Sequence, residues 1–169
     1  MSLKRGLCLT VPAADAIVGA WRVNHDPISA RALPGHVTVR APFPAGLQVT
    51  PDAVAPLVNR HLPLPLTLSR LENRPGALVV LVEPDDALRA LTEAFDAVVD
   101  GLPPHREGRP DLAYHVTVVR TADEHVRAAA TGEIAPSLPL DVRASDLCLF
   151  EWDDEQLRVV WRLAPRVAT

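Results

Sequence analysis

The sequence predicts a fold of mixed strands and helices built from two copies of one unit: strand, helix, motif strand, helix, strand. Two observations predict it. The tetrapeptide His-Val-Thr-Val occurs at 36–39 and again at 115–118, each time within an apolar, strand-like run. The segments around the two copies also follow one another in the same order. For residues drawn independently, two copies arise by chance on the order of once in 100,000, so we interpret them as an internal repeat.

The first unit begins with a strand predicted over 6–11 and a helix over 13–23. After a loop rich in Asp, Ser and Pro, the first motif strand runs from about 35 to 40. A helix is predicted over 51–61, because Thr50 is a favourable N-cap and Pro51 suits the first helical position. A strand over 64–71 ends the unit. It is predicted to form a hairpin, around a turn at 72–76, with a strand over 77–83 that begins the second unit.

The second unit contains the clearest helix, over 85–99, where apolar residues recur on one stripe. The second motif strand follows at 114–120, and another helix is predicted over 122–130. Strands over 138–150 and 156–163 are predicted to form a closing hairpin. The segment after each motif helix starts with Leu-Pro-Leu, at 64–66 and at 138–140, which supports the repeat.

Side-chain direction along each motif strand suggests a shared site. Because side chains alternate between the two faces of a strand, His36 and Thr38 lie on one face, and His115 and Thr117 lie on one face of the second strand. Two units related by a pseudo-twofold axis would bring the motif strands together across a cleft. Two imidazoles and two hydroxyls would then face one substrate.

This set of groups suits the cleavage of a phosphodiester. One imidazole can remove a proton from the nucleophile while the other donates a proton to the leaving oxygen, because imidazole titrates near neutrality. The threonine hydroxyls can donate hydrogen bonds to the non-bridging phosphate oxygens. Metal-ligand signatures such as His-Glu-x-x-His are absent from the sequence. We therefore expect neither a metal nor another cofactor.

The doubled motif, the length of 169 residues and the order of the elements resemble the 2H phosphoesterase superfamily, specifically its 2′-5′ RNA ligase and cyclic phosphodiesterase branch. The resemblance covers essentially the whole chain, as a single domain over 1–169 made of two interleaved lobes. Its motif strands lie at about 35–40 and 113–120. The run Leu-Cys-Leu-Phe-Glu at 147–151 also resembles the family, whereas Trp152 stands where many relatives carry Ser.

The resemblance implies an α+β fold that is bilobal, with antiparallel sheets lining a central cleft and helices outside. It implies a metal-independent enzyme that acts on 2′,3′-cyclic phosphates or 2′-5′-linked nucleotides. It also implies catalytic roles for His36, Thr38, His115 and Thr117. In that family the second-motif histidine is often the base that activates water, which assigns the base to His115 and the acid to His36.

Two arginines near the motifs are candidate phosphate ligands. Arg40 lies four residues after His36, hence on the same face of a regular strand, where its guanidinium could hold a phosphate oxygen. Arg120 lies five residues after His115, which puts it on the opposite face unless a bulge intervenes. We therefore rank Arg40 above Arg120.

Three further residues are weaker candidates for substrate binding. Tyr114 shares the face of Val116, so packing in the core is its first interpretation, and stacking on a base would need a twist of the strand. The polar segment 103–110 directly precedes the second motif. Its length suits a loop at the mouth of the cleft, where Arg106 or Arg109 could contact a nucleotide.

Composition narrows the class of partner. The chain is 48% hydrophobic, which is enough to fill a core, and its net charge of −4 argues against a long contact with duplex DNA or RNA. We expect a small nucleotide or an RNA end as substrate. No signal peptide or membrane span is predicted, and the two cysteines form no disulfide framework. We expect a cytoplasmic monomer.

Two alternative functions are open at this point. The first is a non-catalytic module that binds a nucleotide or an RNA end in the same cleft. The second is a metal-dependent hydrolase in which His36 and His115 act with carboxylates such as Asp26 or Asp111. Intact His and Thr in both motifs argue against the first alternative, and retained activity in EDTA would argue against the second.

Overall fold

The computed structural model describes residues 3–102 and 113–166, which form eight strands and five α-helices. The strands are β1 (Lys4–Thr10), β2 (His36–Pro44), β3 (Leu64–Arg74), β4 (Ala77–Glu83), β5 (His115–Arg120), β6 (Leu140–Ala144), β7 (Asp146–Trp152) and β8 (Leu157–Leu163). The helices are α1 (Asp15–His25), α2 (Pro27–Ala32), α3 (Pro51–His61), α4 (Asp85–Val98) and α5 (Glu124–Ile134). Short 3₁₀ turns at Pro12–Ala14 and Ala135–Ser137 adjoin α1 and α5.

All eight strands belong to one curled sheet in the order β6-β3-β4-β5-β2-β1-β7-β8. Every pairing in it is antiparallel. The two motif strands, β2 and β5, are neighbours at its centre. The α+β fold predicted from the sequence is confirmed.

The packing of the helices follows the repeat. Helix α1 follows β1 but packs against β5, and helix α4 follows β4 but packs against β2. Each unit therefore covers the motif strand of the other. Of the apolar stripe predicted on α4, Val98 at the end of the helix is 43% exposed, whereas Leu88, Leu91 and Phe95 are at most 1% exposed. Burial of these side chains joins the two units into one core.

Both motif strands carry a β-bulge at the same distance after the histidine. On β2, Thr38 pairs with Cys8 but the next position of β1 pairs with Arg40, so an extra residue is inserted. On β5, the same irregularity lies between Thr117 and Val119. A bulge reverses the face of every later side chain in the strand. The simple alternation assumed from the sequence therefore fails beyond the threonine in both copies.

Several elements differ from those predicted. The loop after α1 contains a second helix, α2, which starts at Pro27, a residue whose fixed φ suits the first helical position. Strand β3 continues to Arg74, so the turn is confined to Pro75 and Gly76, and Gly76 adopts a positive φ of 73°. Helix α5 begins at Glu124, because the Asp123 carboxylate accepts hydrogen bonds from backbone N–H groups of its first turn.

The strand predicted over 138–150 is wrong, since this segment forms two strands at distant places in the sheet. Strand β6 pairs with β3 at one end, and β7 pairs with β1 on the other side of the motif strands. The similar segments at 64–68 and 138–142 thus lie on neighbouring strands, rather than at equivalent places in two halves. The place equivalent to that of β3 is filled by β7.

Gly6 is required by the ring of Phe150. A Cβ atom at Gly6 would lie 2.6 Å from Cζ of Phe150 and 3.0 Å from Cβ of Ala41. We predict that Gly6→Ala lowers the free energy of unfolding by about 1–3 kcal/mol, because the ring of Phe150 and the Cβ atom of Ala41 must move apart to admit the new methyl group. Urea unfolding measures this change.

Gly132→Ala is the matched control for that substitution. Gly132 lies inside α5, and a Cβ atom there would have no neighbour within 4 Å among the described residues. Because alanine is the better helix former, this variant should gain about 0.5–1 kcal/mol. A Gly6→Ala variant as stable as the unmodified protein would show that Phe150 is not tightly held.

Candidate active site

The two motifs lie side by side because their strands pair directly. Val37 is opposite Val116 in the antiparallel pair of β2 and β5, and both valines are fully buried on the core face. In an antiparallel register, one step in opposite directions places His36 across from Thr117, and Thr38 across from His115. Each histidine therefore has the threonine of the other motif as its cross-strand neighbour. The sheet therefore brings the two motifs next to each other, as expected from the repeat.

The two imidazoles are held by the same backbone contact. Nδ1 of His36 lies 2.9 Å from the carbonyl oxygen of Pro34, and Nδ1 of His115 lies 3.0 Å from the carbonyl oxygen of Ala113. In both cases the acceptor belongs to the residue two positions before the histidine. When Nδ1–H donates to this carbonyl, Nε2 carries the lone pair and is the nitrogen left for proton transfer.

His36 is uncharged at neutral pH in this structure. Its pKa is lowered from 6.5 to about 4, chiefly by burial and also by the positive charges of Arg22, Arg120 and a protonated His115. The hydrogen bond to the carbonyl of Pro34 opposes this shift but does not cancel it.

A cavity of about 420 Å³ opens beside the first motif. His36 and Thr38 form part of its wall. The aromatic part of the wall is made by Phe150 and Trp152, whose rings stack with centroids 5.2 Å apart. The ring of Phe150 also lies 6.3 Å from that of His36. The volume is within the range of small-molecule sites.

Arg120 also lines this cavity, contrary to the ranking made from the sequence. The bulge after Thr117 returns Arg120 to the face of His115. Nε of Arg120 lies 3.6 Å from a carboxylate oxygen of Asp26, and 64% of the arginine side chain remains exposed. Asp26 is 8% exposed, and burial raises its pKa although Arg120 and Arg22 lower it. Asp26 thus restrains a guanidinium at the rim of the cavity.

Arg40 occupies a different place from the one predicted. The bulge after Thr38 turns it to the helix side of the sheet, where it is 2% exposed and its Nε lies 2.6 Å from a carboxylate oxygen of Asp96 on α4. Its equivalent in the second motif is the buried Val119. The position equivalent to Arg120 is Ala41, which lines the cavity.

Of the remaining candidates from the sequence, Tyr114 does not line the cavity. Tyr114 is 2% exposed, and its hydroxyl lies 2.8 Å from Oγ1 of Thr92 on α4, so it packs in the core rather than against a substrate. Tyr114 lies two residues before the buried Val116, so its side chain is on the same face of the strand. Arg106, Arg109 and Asp111 lie outside the described residues, and their predicted contacts stay predictions.

Three functional candidates were missed by sequence reasoning. In the sequence, Trp152 is notable only as a departure from the Ser of many relatives, yet it lines the cavity. Phe150 was used only as part of a family run. Arg74 was placed in a turn, but Nη1 of Arg74 lies 3.0 Å from Nδ1 of His115. Strand parity within 147–152 could have indicated the two aromatic residues, whereas the contact of Arg74 depends on a longer β3.

Other surfaces carry no comparable set of groups among the described residues. A larger, shallower depression of about 980 Å³ runs along β3 and β6 and contains neither motif. Within 3–102 and 113–166, no three His, Cys, Asp or Glu side chains are grouped so that they could hold a metal ion. None of the helices in these ranges is long and apolar enough to cross a membrane.

Comparison with known proteins now decides the family. A sequence model of the 2'-5' RNA ligase superfamily matches residues 10–156, which include both motifs. The chain belongs to the 2'-5' RNA ligase superfamily. Members of this superfamily are generally phosphoesterases, so the resemblance to 2H phosphoesterases is confirmed. No curated protein sequence matches the chain significantly.

Solved structures show the same fold. The chain is similar to E. coli LigT complexed with 3'-AMP, with 19% identity over 99% of this chain and 100% of that chain and a TM-score of 0.59. It is similar to TT0787 of Thermus thermophilus, with 14% identity over 96% of this chain and 98% of that chain and a TM-score of 0.57. A structure described as a phosphoesterase has 16% identity over 97% of this chain and 99% of that chain, with a TM-score of 0.53.

The low pKa of His36 predicts a loss of stability in acid. Its folded pKa of about 4 lies below the unfolded value of 6.5, so the unfolded state binds more protons between these two values. Stability should therefore fall as the pH decreases from 6.5 to 4, by about 3 kcal/mol from this residue. His36→Gln should remove that part of the loss. Urea unfolding at pH 7 and pH 4 measures it, and an equal loss in the variant would contradict the assignment.

Proposed function

We propose that the protein is a metal-independent phosphodiesterase that opens the 2′,3′-cyclic phosphate or the 2′-5′ phosphodiester bond of a nucleotide or an RNA end. One observation carries the proposal. Two histidines with the same backbone anchor lie on neighbouring strands, and each faces the threonine of the other motif. A phosphate between the strands would meet one imidazole and one hydroxyl from each side.

The proposed reaction needs two proton transfers. One imidazole accepts a proton from water as its oxygen attacks phosphorus, and the other donates a proton to the ribose oxygen that leaves. The family resemblance assigns the first role to His115 and the second to His36. The acid must be charged before it donates. In the free protein His36 is neutral at pH 7, and the negative charge of a bound phosphate favours its protonated form.

The threonines suit the stabilisation of charge on the phosphate. Thr117 is 9% exposed, and Thr38 is half-buried in the wall of the cavity, where a bound phosphate could reach its hydroxyl. A hydroxyl that is fixed before the reaction can donate to a non-bridging oxygen without reorganising. Arg120 supplies a positive charge at the same rim, and its contact with Asp26 limits the positions of the guanidinium.

The cavity beside His36 supports a nucleoside as the group attached to this phosphate. Its wall joins the aromatic pair Phe150 and Trp152 to the buried carboxylate of Asp26. Aromatic rings stack on nucleobases, and a carboxylate accepts hydrogen bonds from ribose hydroxyls or base amino groups. One related structure is E. coli LigT complexed with the nucleotide 3'-AMP.

A non-catalytic module that binds the same ligands is the second candidate. It would use the same cavity, but it would not require both anchored imidazoles. The two functions differ in turnover, which an assay with 2′,3′-cyclic nucleotides and a 2′-5′-linked dinucleotide measures. Tight binding of a substrate without turnover would favour the module.

The histidines provide the decisive variants. We predict that His36→Ala and His115→Ala each lower kcat about 100-fold or more, because each removes one proton transfer. His125→Ala is the matched control, since His125 is exposed on α5, and it should leave kcat unchanged. Product formation should persist in EDTA. Activity that EDTA abolishes and Zn²⁺ restores would favour the metal-dependent alternative instead.

Arg120 and Arg143 form a second pair of variants. We predict that Arg120→Met raises KM for a cyclic nucleotide about tenfold, because a charge-assisted hydrogen bond to phosphate is lost. Arg143→Met removes the same charge at the distant depression along β6, and KM should stay the same. Equal effects of the two substitutions would mean that only net charge matters.

A further inference from the structure

One pair of equivalent positions that differs between the two halves of the site lies on the strands next to β1 and β4. On β1, Cys8 pairs with Thr38, and Gly6, two residues earlier, pairs with Phe150. On β4, Val79 pairs with Thr117, and Ala77, two residues earlier, pairs with Arg74. The registers therefore place Phe150 and Arg74 at matching positions around the pseudo-twofold axis.

These two side chains contact the two histidines. The ring of Phe150 lies 6.3 Å from that of His36, and Nη1 of Arg74 lies 3.0 Å from Nδ1 of His115. One imidazole thus faces an uncharged ring, while the other faces a guanidinium. The backbone anchors of the two histidines are the same in both halves, so this pair is a specific source of asymmetry.

Arg74 is held where its charge acts on His115. Its Nε lies 2.7 Å from a carboxylate oxygen of Glu72 on the same strand, and the arginine side chain is 17% exposed. A guanidinium only donates hydrogen bonds and stays charged. Nδ1 of a neutral His115 can either accept from Arg74 or donate to the carbonyl of Ala113. A protonated ring would place two positive charges about 3 Å apart.

Other charged groups lie on several of the described elements around β5. Helices α1 and α5 both pack against β5 and carry Arg22 and Arg127. Glu72 and Arg74 lie on β3, His36 lies on the paired strand β2, and Arg120 lies on β5 itself. Asp26, after α1, is paired with Arg120. The side chains of β4 beside the second motif are apolar, since Val79 and Leu81 pair there. Arg74 places a cation in direct contact with the ring.

We propose that Arg74 is a positioning residue that keeps the imidazole of His115 uncharged. This inference rests on the proposed function. Arg74 acts through charge, because a guanidinium nitrogen 3.0 Å from Nδ1 disfavours the imidazolium of His115.

Titration of the histidine C–H signals by NMR tests this without any turnover. In Arg74→Met the midpoint of His115 should rise by about one pH unit, because the like charge beside the ring is gone. Arg74→Lys keeps a cation and should keep the midpoint near that of the unmodified protein. Arg143→Met, which removes the same charge far from the site, should also leave it unchanged.

A second variant acts in the opposite direction. Glu72→Gln removes the carboxylate that balances Arg74, so the midpoint of His115 should fall. This variant keeps the test decisive if Arg74→Met does not fold. An unchanged midpoint in both variants, or the same rise in Arg143→Met, would overturn the proposal. A rise in Arg74→Lys as large as that in Arg74→Met would also overturn it, since shape rather than charge would then matter.

Kinetics link the charge to the role. In Arg74→Met the acidic limb of the pH profile of kcat/KM for a 2′,3′-cyclic nucleotide should move to higher pH by the same amount as the NMR midpoint. In Arg74→Lys most of this shift should be absent. A limb that stays in place while the midpoint rises would overturn the role of His115 as acceptor. If no substrate is turned over, the proposed function fails, and the NMR midpoints alone decide whether Arg74 sets the charge of His115.

Discussion

The pairing of β2 with β5 at Val37 and Val116 is the constraint on which the site depends. These strands are far apart in the chain, and burial of their valines on one face holds them together at the centre of the sheet. This pair sets the register of β2 and β5. The His and Thr side chains of both motifs therefore lie next to one another on the opposite face of the sheet. Helices α1 and α4 reinforce the contact because each covers the motif strand of the opposite unit.

The bulges after Thr38 and Thr117 are the second shared feature of the two motif strands. Each bulge turns the next side chain toward the helices and the one after it toward the cleft. In the first copy this buries Arg40 against Asp96, and in the second it brings Arg120 to the cavity. One backbone irregularity, used twice, thus gives one arginine to the core and the other to the site.

A repeated scaffold with unequal walls explains how a symmetrical pair of motifs can serve an asymmetrical reaction. In the hydrolysis of a phosphodiester, one P–O bond breaks while water attacks the phosphorus. One imidazole must therefore start as the proton acceptor, and the other as the proton donor. Burial beside Phe150 and contact with Arg74 treat the two rings differently although their backbone anchors are alike. The surroundings of the two motifs also differ in shape, because the aromatic cavity lies beside the first motif and is lined by its His36 and Thr38.

The sequence by itself determined the repeat, the two His/Thr faces and the superfamily, because strand alternation and a duplicated motif are local properties of the chain. It could not determine the faces of Arg40 and Arg120, since a bulge depends on the partner strand and leaves no residue signature here. The division of 138–150 between β6 and β7 likewise depends on which strands offer free edges. The contact of Arg74 with His115 joins residues from separate strands, so only the tertiary structure decided it.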